Sequence, residues 1–116
     1  MARRTKGRAR RLAGRSFAGN TAVIILRGTG QVINRATVQD RTFRIETPDL
    51  GVLTIDTNKI KTIVYKNLPA YPTDMLRTIN ASEFNGDILN DPVTVTAEDL
   101  GGKVKLPRAK LLSIIW

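Results

Sequence analysis

Apolar and polar residues alternate in several segments beyond residue 40, with the period of two that is typical of strands having one buried and one solvated face. In the clearest segment, Phe43 and Ile45 alternate with Arg44 and Glu46. The same period returns in three later segments, residues 53–56, 93–97 and 103–106. The pattern therefore predicts a protein made of short strands.

The segment from Thr42 to Tyr65 is repeated at the end of the sequence. The tripeptide Asp-Leu-Gly at residues 49–51 returns at residues 99–101, and this alignment places Phe43 and Ile45 on two valines. With one residue inserted after the glycine, the later apolar positions also coincide: Leu53, Ile55, Ile60, Ile63 and Tyr65 fall on Val104, Leu106, Leu111, Ile114 and Trp116. The repeat predicts the same unit twice, a strand, a turn, a strand and a short final strand.

The residues before the repeat predict a hairpin. The apolar run Ala22–Leu26 is short enough for a strand buried on both faces. Arg27–Gly30 supplies a tight turn, and Gln31–Val38 supplies the returning strand. Within the repeat, the apolar spacing of three from Ile60 to Ile63 indicates a one-turn 3₁₀ element or a bend.

The residues between the two copies predict a linker and a second hairpin. Two prolines in Lys66–Asp74 disfavour both helix and central strand. The repeat alignment sets Met75–Phe84 against the first buried strand and predicts a strand there, with a short helix over residues 75–79 as the alternative. The dipeptide at positions 85 and 86, Asn-Gly, is a strong hairpin-turn signal.

These elements predict an all-β fold made of two similar tandem units. The units would be two small β-barrels or one fused pseudo-symmetric barrel, preceded by a basic arm. The predicted boundaries are residues 1–16 for the arm, 17–66 for the first unit, 67–74 for the linker and 75–116 for the second unit. A chain of 116 residues can bury a modest core in such a fold without disulfides.

The first copy, residues 22–66, resembles small β-barrels of the Sm-like and SH3-like kind. The resemblance lies in the order of its elements: a strand, a glycine turn, a strand, a hairpin and a short last strand after a one-turn corner. Where the Sm pattern has a glycine in its second strand, this chain has Asn34-Arg35-Ala36, and the Asp-x-x-Met-Asn and Arg-Gly motifs are absent. The resemblance implies assembly through strand edges into rings and contact with nucleic acid, and no RNA-binding residue is carried over from it.

Basic charge is concentrated at the start of the sequence. The chain has 19 basic and 10 acidic residues, a net charge of +9, and residues 1–16 hold seven of the basic residues and no acid. Six of the seven are arginine, whose planar guanidinium suits phosphate. This composition predicts a disordered arm that binds nucleic acid without reading its sequence, because no aromatic residue is interleaved with the charges. The predicted contact residues are Arg3, Arg4, Lys6, Arg8, Arg10, Arg11 and Arg15.

No catalytic site is expected. The absence of cysteine and histidine removes thiol nucleophiles, imidazole bases and the commonest zinc ligands. Asp87, Asn90 and Asp91 could surround a hard cation, but the same residue types are typical of a turn. We therefore expect no enzyme activity, no cofactor, no metal and no small-molecule substrate.

The sequence also favours self-association inside a cell or a virus particle. No apolar run is long enough for a membrane span, and none follows the basic N-terminus as a secretory signal requires.

The final apolar strand would expose a hydrophobic edge unless it is a core strand or a subunit interface. The residues predicted for such an interface in a homo-oligomer are Leu112, Ile114, Ile115 and Trp116.

We therefore expect a structural protein of the coat, capsid, packaging or scaffold type, in the cytoplasm or a virion. Two alternatives stay open. In one, the chain is a pure assembly module of a ring, filament or shell, and its arm docks on a neighbouring subunit. In the other, it is an adaptor bound to a ribonucleoprotein such as the ribosome.

Overall fold

The computed structural model describes residues 21–116, which form ten strands and no α-helix. The strands are β1 (Thr21–Leu26), β2 (Val32–Val38), β3 (Thr42–Thr47), β4 (Gly51–Asp56), β5 (Ile60–Val64), β6 (Asp74–Thr78), β7 (Glu83–Ile88), β8 (Val93–Ala97), β9 (Gly102–Leu106) and β10 (Leu111–Ile115). Three single 3₁₀ turns join them, Thr57–Lys59, Glu98–Leu100 and Arg108–Lys110. The predicted all-β class is confirmed. In this part of the chain, no helix has the length and apolar character needed to cross a membrane.

All ten strands belong to one curled sheet, in the order β9-β8-β2-β1-β10-β5-β6-β7-β3-β4. Every neighbouring pair is antiparallel. The order has an internal symmetry. If β1–β5 are exchanged one by one with β6–β10, the list becomes the same list read from its other end. The two sequence repeats therefore occupy corresponding places on either side of the central pair, β10 and β5.

The two halves of the chain are interleaved in this sheet. The β3–β4 hairpin of the first half pairs with β7 of the second, and the β8–β9 hairpin of the second half pairs with β2 of the first. The last strands are exchanged in the same way, since β10 pairs with β1 and β5 pairs with β6. Two separate tandem units are thus not confirmed, because each half completes the sheet of the other.

The centre of the sheet is the pairing of β5 with β10. Ile63 lies opposite Ile114, and both side chains are fully buried. On either side of this pair, the Tyr65 amide donates to the Leu112 carbonyl at 2.9 Å, and the Trp116 amide donates to the Lys61 carbonyl at 3.0 Å. β10 is therefore an internal strand with both backbone edges paired within the chain, which agrees with the core-strand expectation for residues 111–115.

The core contains several of the positions that coincide in the repeat, together with buried residues of β1, β2, β6 and β7. Each fully buried Ile, Leu, Val or Phe side chain contributes roughly 1.5–3 kcal/mol through the hydrophobic effect. The fully buried apolar side chains are Ile24, Ala36, Phe43, Ile45, Ile63, Leu76, Ile88, Val93, Val95, Leu111 and Ile114. In β1 the predicted burial on both faces is only partial, because Ala22 and Ile24 are buried whereas Val23 and Ile25 are half-buried.

The repeated Asp-Leu-Gly corners form turns as predicted. Gly51 and Gly101 have φ angles of +73° and +72°, a left-handed conformation that glycine adopts without steric cost. The predicted one-turn 3₁₀ element is present, but it lies at Thr57–Lys59 and precedes the strand of which Ile60 and Ile63 are part.

The prediction for residues 75–86 is wrong in its boundaries. The strand ends at Thr78 and the chain turns at once, with Ala81 at a φ of +70° and the Ser82 amide donating to the Thr78 hydroxyl at 3.1 Å. Asn85 and Gly86 lie inside β7 and not in a hairpin turn. A Cβ on Gly86 would lie 2.0 Å from the carbonyl oxygen of Glu46, so this glycine allows β3 to approach β7 closely.

The predicted linker contains no regular strand or helix between Tyr65 and Asp74. A single β-bridge joins Asn67 to Tyr71, with backbone hydrogen bonds of 2.8 and 2.9 Å in the two directions. At the end of the segment, one Asp74 carboxylate oxygen accepts from the Lys66 amide at 2.7 Å and the other accepts from the Ile88 amide at 2.8 Å. Asp74 is buried, and these two bonds fix the linker to the sheet.

Candidate functional site

The seven residues predicted to contact nucleic acid lie outside the described residues. They are Arg3, Arg4, Lys6, Arg8, Arg10, Arg11 and Arg15. The first described residue is Thr21, at the start of β1, where the chain that follows these residues enters the sheet.

The start of β1 lies in a row of paired residues that leads to one edge of the sheet. Thr21 is opposite Thr37, Thr37 is opposite Thr96, and Thr96 is opposite Lys103 on the edge strand β9. Three strand spacings of about 4.8 Å separate Thr21 from Lys103, roughly 14 Å in all. The start of β1 and the edge strand β9 therefore lie on the same side of the sheet.

Charged side chains of both signs surround this place. An open depression of about 630 Å³ is lined by Arg35 of β2, by Glu98 and Asp99 of the turn before β9, and by Trp116. Arg35, Glu98 and Asp99 are exposed. Glu98 and Asp99 line the same depression as Thr21, so their carboxylates offer an attractive surface for basic side chains.

The body of the protein is close to electrically neutral. Residues 21–116 hold 12 basic and 10 acidic side chains, a net charge of +2, against +7 for residues 1–16. One exposed ion pair joins Arg77 to Glu83 at 2.9 Å, and the hydrogen bond from Arg77 lowers the pKa of Glu83. Such exposed pairs contribute little to stability. The positive potential of the molecule is therefore concentrated at one terminus.

The four residues predicted for a subunit interface lie on or directly after the central strand β10. Ile114 is fully buried and Leu112 is half-buried, whereas Ile115 is 39% exposed. The Trp116 ring packs edge-on against Phe43, with 6.1 Å between ring centroids. The backbone of this strand is paired on both edges, so it offers no free edge to a second chain, and a role of these side chains in an interface stays a prediction.

Two of the three residues considered for a cation, Asn90 and Asp91, accept hydrogen bonds from backbone amides. The Arg108 amide donates to the Asp91 carboxylate at 2.9 Å, and the Arg44 amide donates to the Asn90 side-chain oxygen at 2.9 Å. Asp87 is exposed on β7. Among residues 21–116, no group of three acidic side chains lies close enough together to hold a metal ion.

Asp40 and Asn90 are half-buried and hydrogen-bonded to each other. Asp40 lies between β2 and β3 and Asn90 lies between β7 and β8, where the chain crosses from one half of the sheet to the other. The Asn90 amide group donates to the Asp40 carboxylate at 2.8 Å and to the Thr42 carbonyl at 2.9 Å. The other Asp40 oxygen accepts from the Thr94 amide at 3.0 Å. This pair was not among the predicted site residues, although each member lies three positions before an aligned apolar residue of the repeat, Asp40 before Phe43 and Asn90 before Val93.

Tyr65 is the one buried side chain in residues 21–116 whose polar atom has no hydrogen-bond partner in the protein. Its ring is 1% exposed, and burial, followed by the nearby Asp74 carboxylate, raises the pKa of its hydroxyl well above the usual value. The residue also lines an open depression together with Arg27, Asp91 and Arg108. A phenol so hard to ionise is unsuited to act as a base near neutral pH.

Comparisons of the chain with protein-family models, with curated proteins and with solved structures find no match. What the protein does must therefore be inferred from its own charge distribution and geometry.

Proposed function

We propose that this chain is a non-catalytic structural protein that self-associates and binds nucleic acid through its Arg-rich residues 1–16. The observation that carries the proposal is the separation of charge, +7 in these 16 residues against +2 in the folded sheet. A nearly neutral body gives little reason for a polyanion to bind elsewhere. Proteins of the coat, packaging and scaffold type need this combination of a binding segment and an assembling body.

The binding mechanism would be the neutralisation of phosphates. Arginine guanidinium groups bind phosphate oxygens in pairs, and each contact releases a condensed counterion from the nucleic acid. Contacts to phosphates carry no sequence information. Affinity should therefore fall steeply with salt and differ little between unrelated sequences.

The sheet supports the proposal as a platform for assembly. Its strand order fits a duplication of one five-strand, Sm-like unit, with β1–β5 as one copy and β6–β10 as the other. Of the last three strands of each copy, the first and the third pair with the first two strands of the other copy. Equivalent second strands carry small buried residues, Ala36 in β2 and Gly86 in β7, which pair with Ala22 and Asp74 at corresponding places. In a unit of this kind, a small residue lets the second strand bend.

The test is a binding assay on three proteins: the full chain, a chain lacking residues 1–16, and a chain in which residues 2–16 are shuffled. Binding to labelled RNA and DNA oligonucleotides of two unrelated sequences is followed by fluorescence anisotropy across a salt series. Deletion should abolish binding, and the shuffled chain should bind as the full chain does, because charge and not order is used. Equal binding by the deleted chain would overturn the proposal.

Docking of the arm on a neighbouring subunit is the second candidate, and the exposed carboxylates of Glu98 and Asp99 near the start of β1 are the observation that favours it. Light scattering separates the two. If the arm binds nucleic acid, deleting residues 1–16 leaves the assembly state of nuclease-treated protein unchanged. If the arm holds subunits together, the deletion dissociates them. An adaptor on a ribonucleoprotein would instead bind that particle and stay monomeric when free.

A further inference from the structure

The two edges of the sheet are suited to pair with each other in neighbouring molecules. The sheet has ten strands and all neighbours are antiparallel, so its edge strands β4 and β9 run in opposite directions. If β9 of a second copy lies beside β4 of the first, the two strands are antiparallel and the cores of both copies lie on the same face of the extended sheet. The strand directions therefore allow one continuous antiparallel sheet across the two copies.

Among residues 21–116, no strand pairs with the outer edge of β4, which exposes the backbone groups of Val52 and Thr54. On the neighbouring strand, the Arg44 amide and carbonyl are both engaged on the side away from β4, by Asn90 and Leu89. Thr54 is opposite Arg44, so its own amide and carbonyl face outward, as do those of Val52 two residues before it. Val52 is 46% exposed, and β4 contains no lysine, arginine or proline that would discourage pairing.

The outer edge of β9, which no strand of the described part of the chain pairs with, exposes the backbone groups of two lysines. The Thr94 amide and carbonyl are engaged away from β9, by Asp40 and Gln39. Lys105 is opposite Thr94 and Lys103 is opposite Thr96, so the outward amides belong to these lysines. Lysines on an edge discourage pairing with a basic or apolar strand. The two lysines favour pairing with a strand that has acidic residues at its ends.

The β4 edge has that charge. Asp49 and Asp56 are exposed at its two ends, whereas β9 carries Lys103 and Lys105. Pairing β4 with β4 of a second copy would bring aspartates together, and pairing β9 with β9 would bring lysines together, both unfavourable. We propose that β4 of one copy pairs with β9 of the next, so that copies of this chain assemble head to tail into a ring or filament. This proposal rests on the self-association proposed above and names its two surfaces.

Two matched substitutions test it. Thr54→Pro and Lys105→Pro each remove one outward-facing amide, at corresponding places on the two edges, without removing a hydrogen bond of the sheet. The nuclease-treated full chain should form species larger than dimers in sedimentation and light scattering. Each variant alone should be monomeric, because one surface of every contact is blocked. An equimolar mixture should form a dimer and nothing larger, because one contact remains possible.

Other outcomes overturn the proposal. A wild-type chain that stays monomeric at all concentrations excludes it, and Lys105→Pro protein that still dimerises alone shows β4 pairing with itself. Circular dichroism verifies that the variants are folded; if either proline unfolds the sheet, Val52→Lys and Lys103→Glu replace the pair. Each of these variants alone should stay monomeric, whereas their mixture should assemble, because the unchanged β4 edge of one meets the unchanged β9 edge of the other and the new lysine meets the new glutamate. The arm-dependent binding of oligonucleotides is measured on the same variants and should be unchanged, so the failure of edge pairing and the failure of nucleic-acid binding are told apart.

Discussion

Asn90 donates a hydrogen bond of 2.8 Å to the Asp40 carboxylate at the point where the two halves of the chain pass one another. The surrounding hydrogen bonds correspond on both sides: the Thr94 amide donates to Asp40, and the Arg44 amide donates to Asn90. Asp40 accepts two bonds, whereas Asn90 accepts one and donates two. One aspartate and one asparagine are therefore needed here, because two of either would leave a donor or an acceptor without a partner.

Exchanging the two residues tests this arrangement. Asp40→Asn and Asn90→Asp should each lower the free energy of unfolding by about 1–2 kcal/mol, because each leaves a half-buried polar group without its partner. The double substitution should recover much of the loss, since it restores one aspartate opposite one asparagine. Urea unfolding of the four proteins measures the coupling. Losses that simply add would show that the two side chains do not interact.

The deficit of Asn90→Asp should also depend on pH. Two facing carboxylates repel each other when both are ionised, and the repulsion disappears when one is protonated. Relative to the wild type, this variant should therefore be less destabilised at pH 4 than at pH 7. Asp40→Asn introduces no second carboxylate and is the control, with a deficit that changes less over the same range.

Gly86 is required by packing. A Cβ at this position would lie 2.0 Å from the Glu46 carbonyl oxygen, so Gly86→Ala must separate β7 from β3 and should cost about 3 kcal/mol or more. Gly28→Ala is the comparison, because that glycine has a φ of +87° but open space around it. Its expected cost is about 1–2 kcal/mol, from the left-handed backbone alone. Equal costs in urea unfolding would mean that β3 does not approach β7 as described.

The pairing of Ile63 with Ile114 holds the two halves together at the centre of the sheet. Truncation of either to alanine should cost about 2–5 kcal/mol, because both are fully buried. The two losses should not add in the double variant, since the residues are direct neighbours. Ile79→Ala, at a position 61% exposed, should change stability by less than about 0.5 kcal/mol. Additive losses at the two buried positions would argue against this register.

Tyr65 should titrate abnormally, and its ionisation should lower the stability of the fold only at alkaline pH. Its pKa is raised in the folded protein above the usual 10.0, so the unfolded chain ionises first and stability falls as pH rises above about 10. Tyr65→Phe should remove this dependence. Because the hydroxyl has no partner in the protein, that variant should also be as stable at pH 7 as the wild type, or up to about 1 kcal/mol more stable. A large loss at pH 7 would show that the hydroxyl is bonded.

The local patterns of the sequence predicted the elements of the repeat well. Alternation placed β3, β4, β8 and β9, and the repeated glycines at positions 51 and 101 placed the turns, because these features depend on neighbours in the chain. The dipeptide Asn85-Gly86 misled for the opposite reason. It resembles a hairpin turn locally, but its glycine is needed for contact with Glu46, 40 residues away in the chain.

The exchange of strands between halves could not be read from the sequence. A hairpin such as β3–β4 presents the same apolar face whether it joins its own half or the other, since Phe43 and Ile45 are buried in either case. The choice depends on the path of residues 39–41 and 89–91, which the hydrogen bonds of Asp40 and Asn90 help to fix. For the candidate site, the sequence already shows the basic charge of residues 1–16. Which two strands form the edges of the sheet depends on the strand order, which the sequence does not show.

The most direct test of the proposed function is to purify the full chain without nuclease and measure its mass and its ratio of ultraviolet absorbance at the nucleic-acid and protein maxima across a salt series. We expect nucleic acid to co-purify and to be released by salt, with a log-log slope no steeper than about −6, since seven basic residues provide at most seven phosphate contacts at about −0.9 each. A protein free of nucleic acid at low salt, with a mass that does not change with salt, would contradict the account.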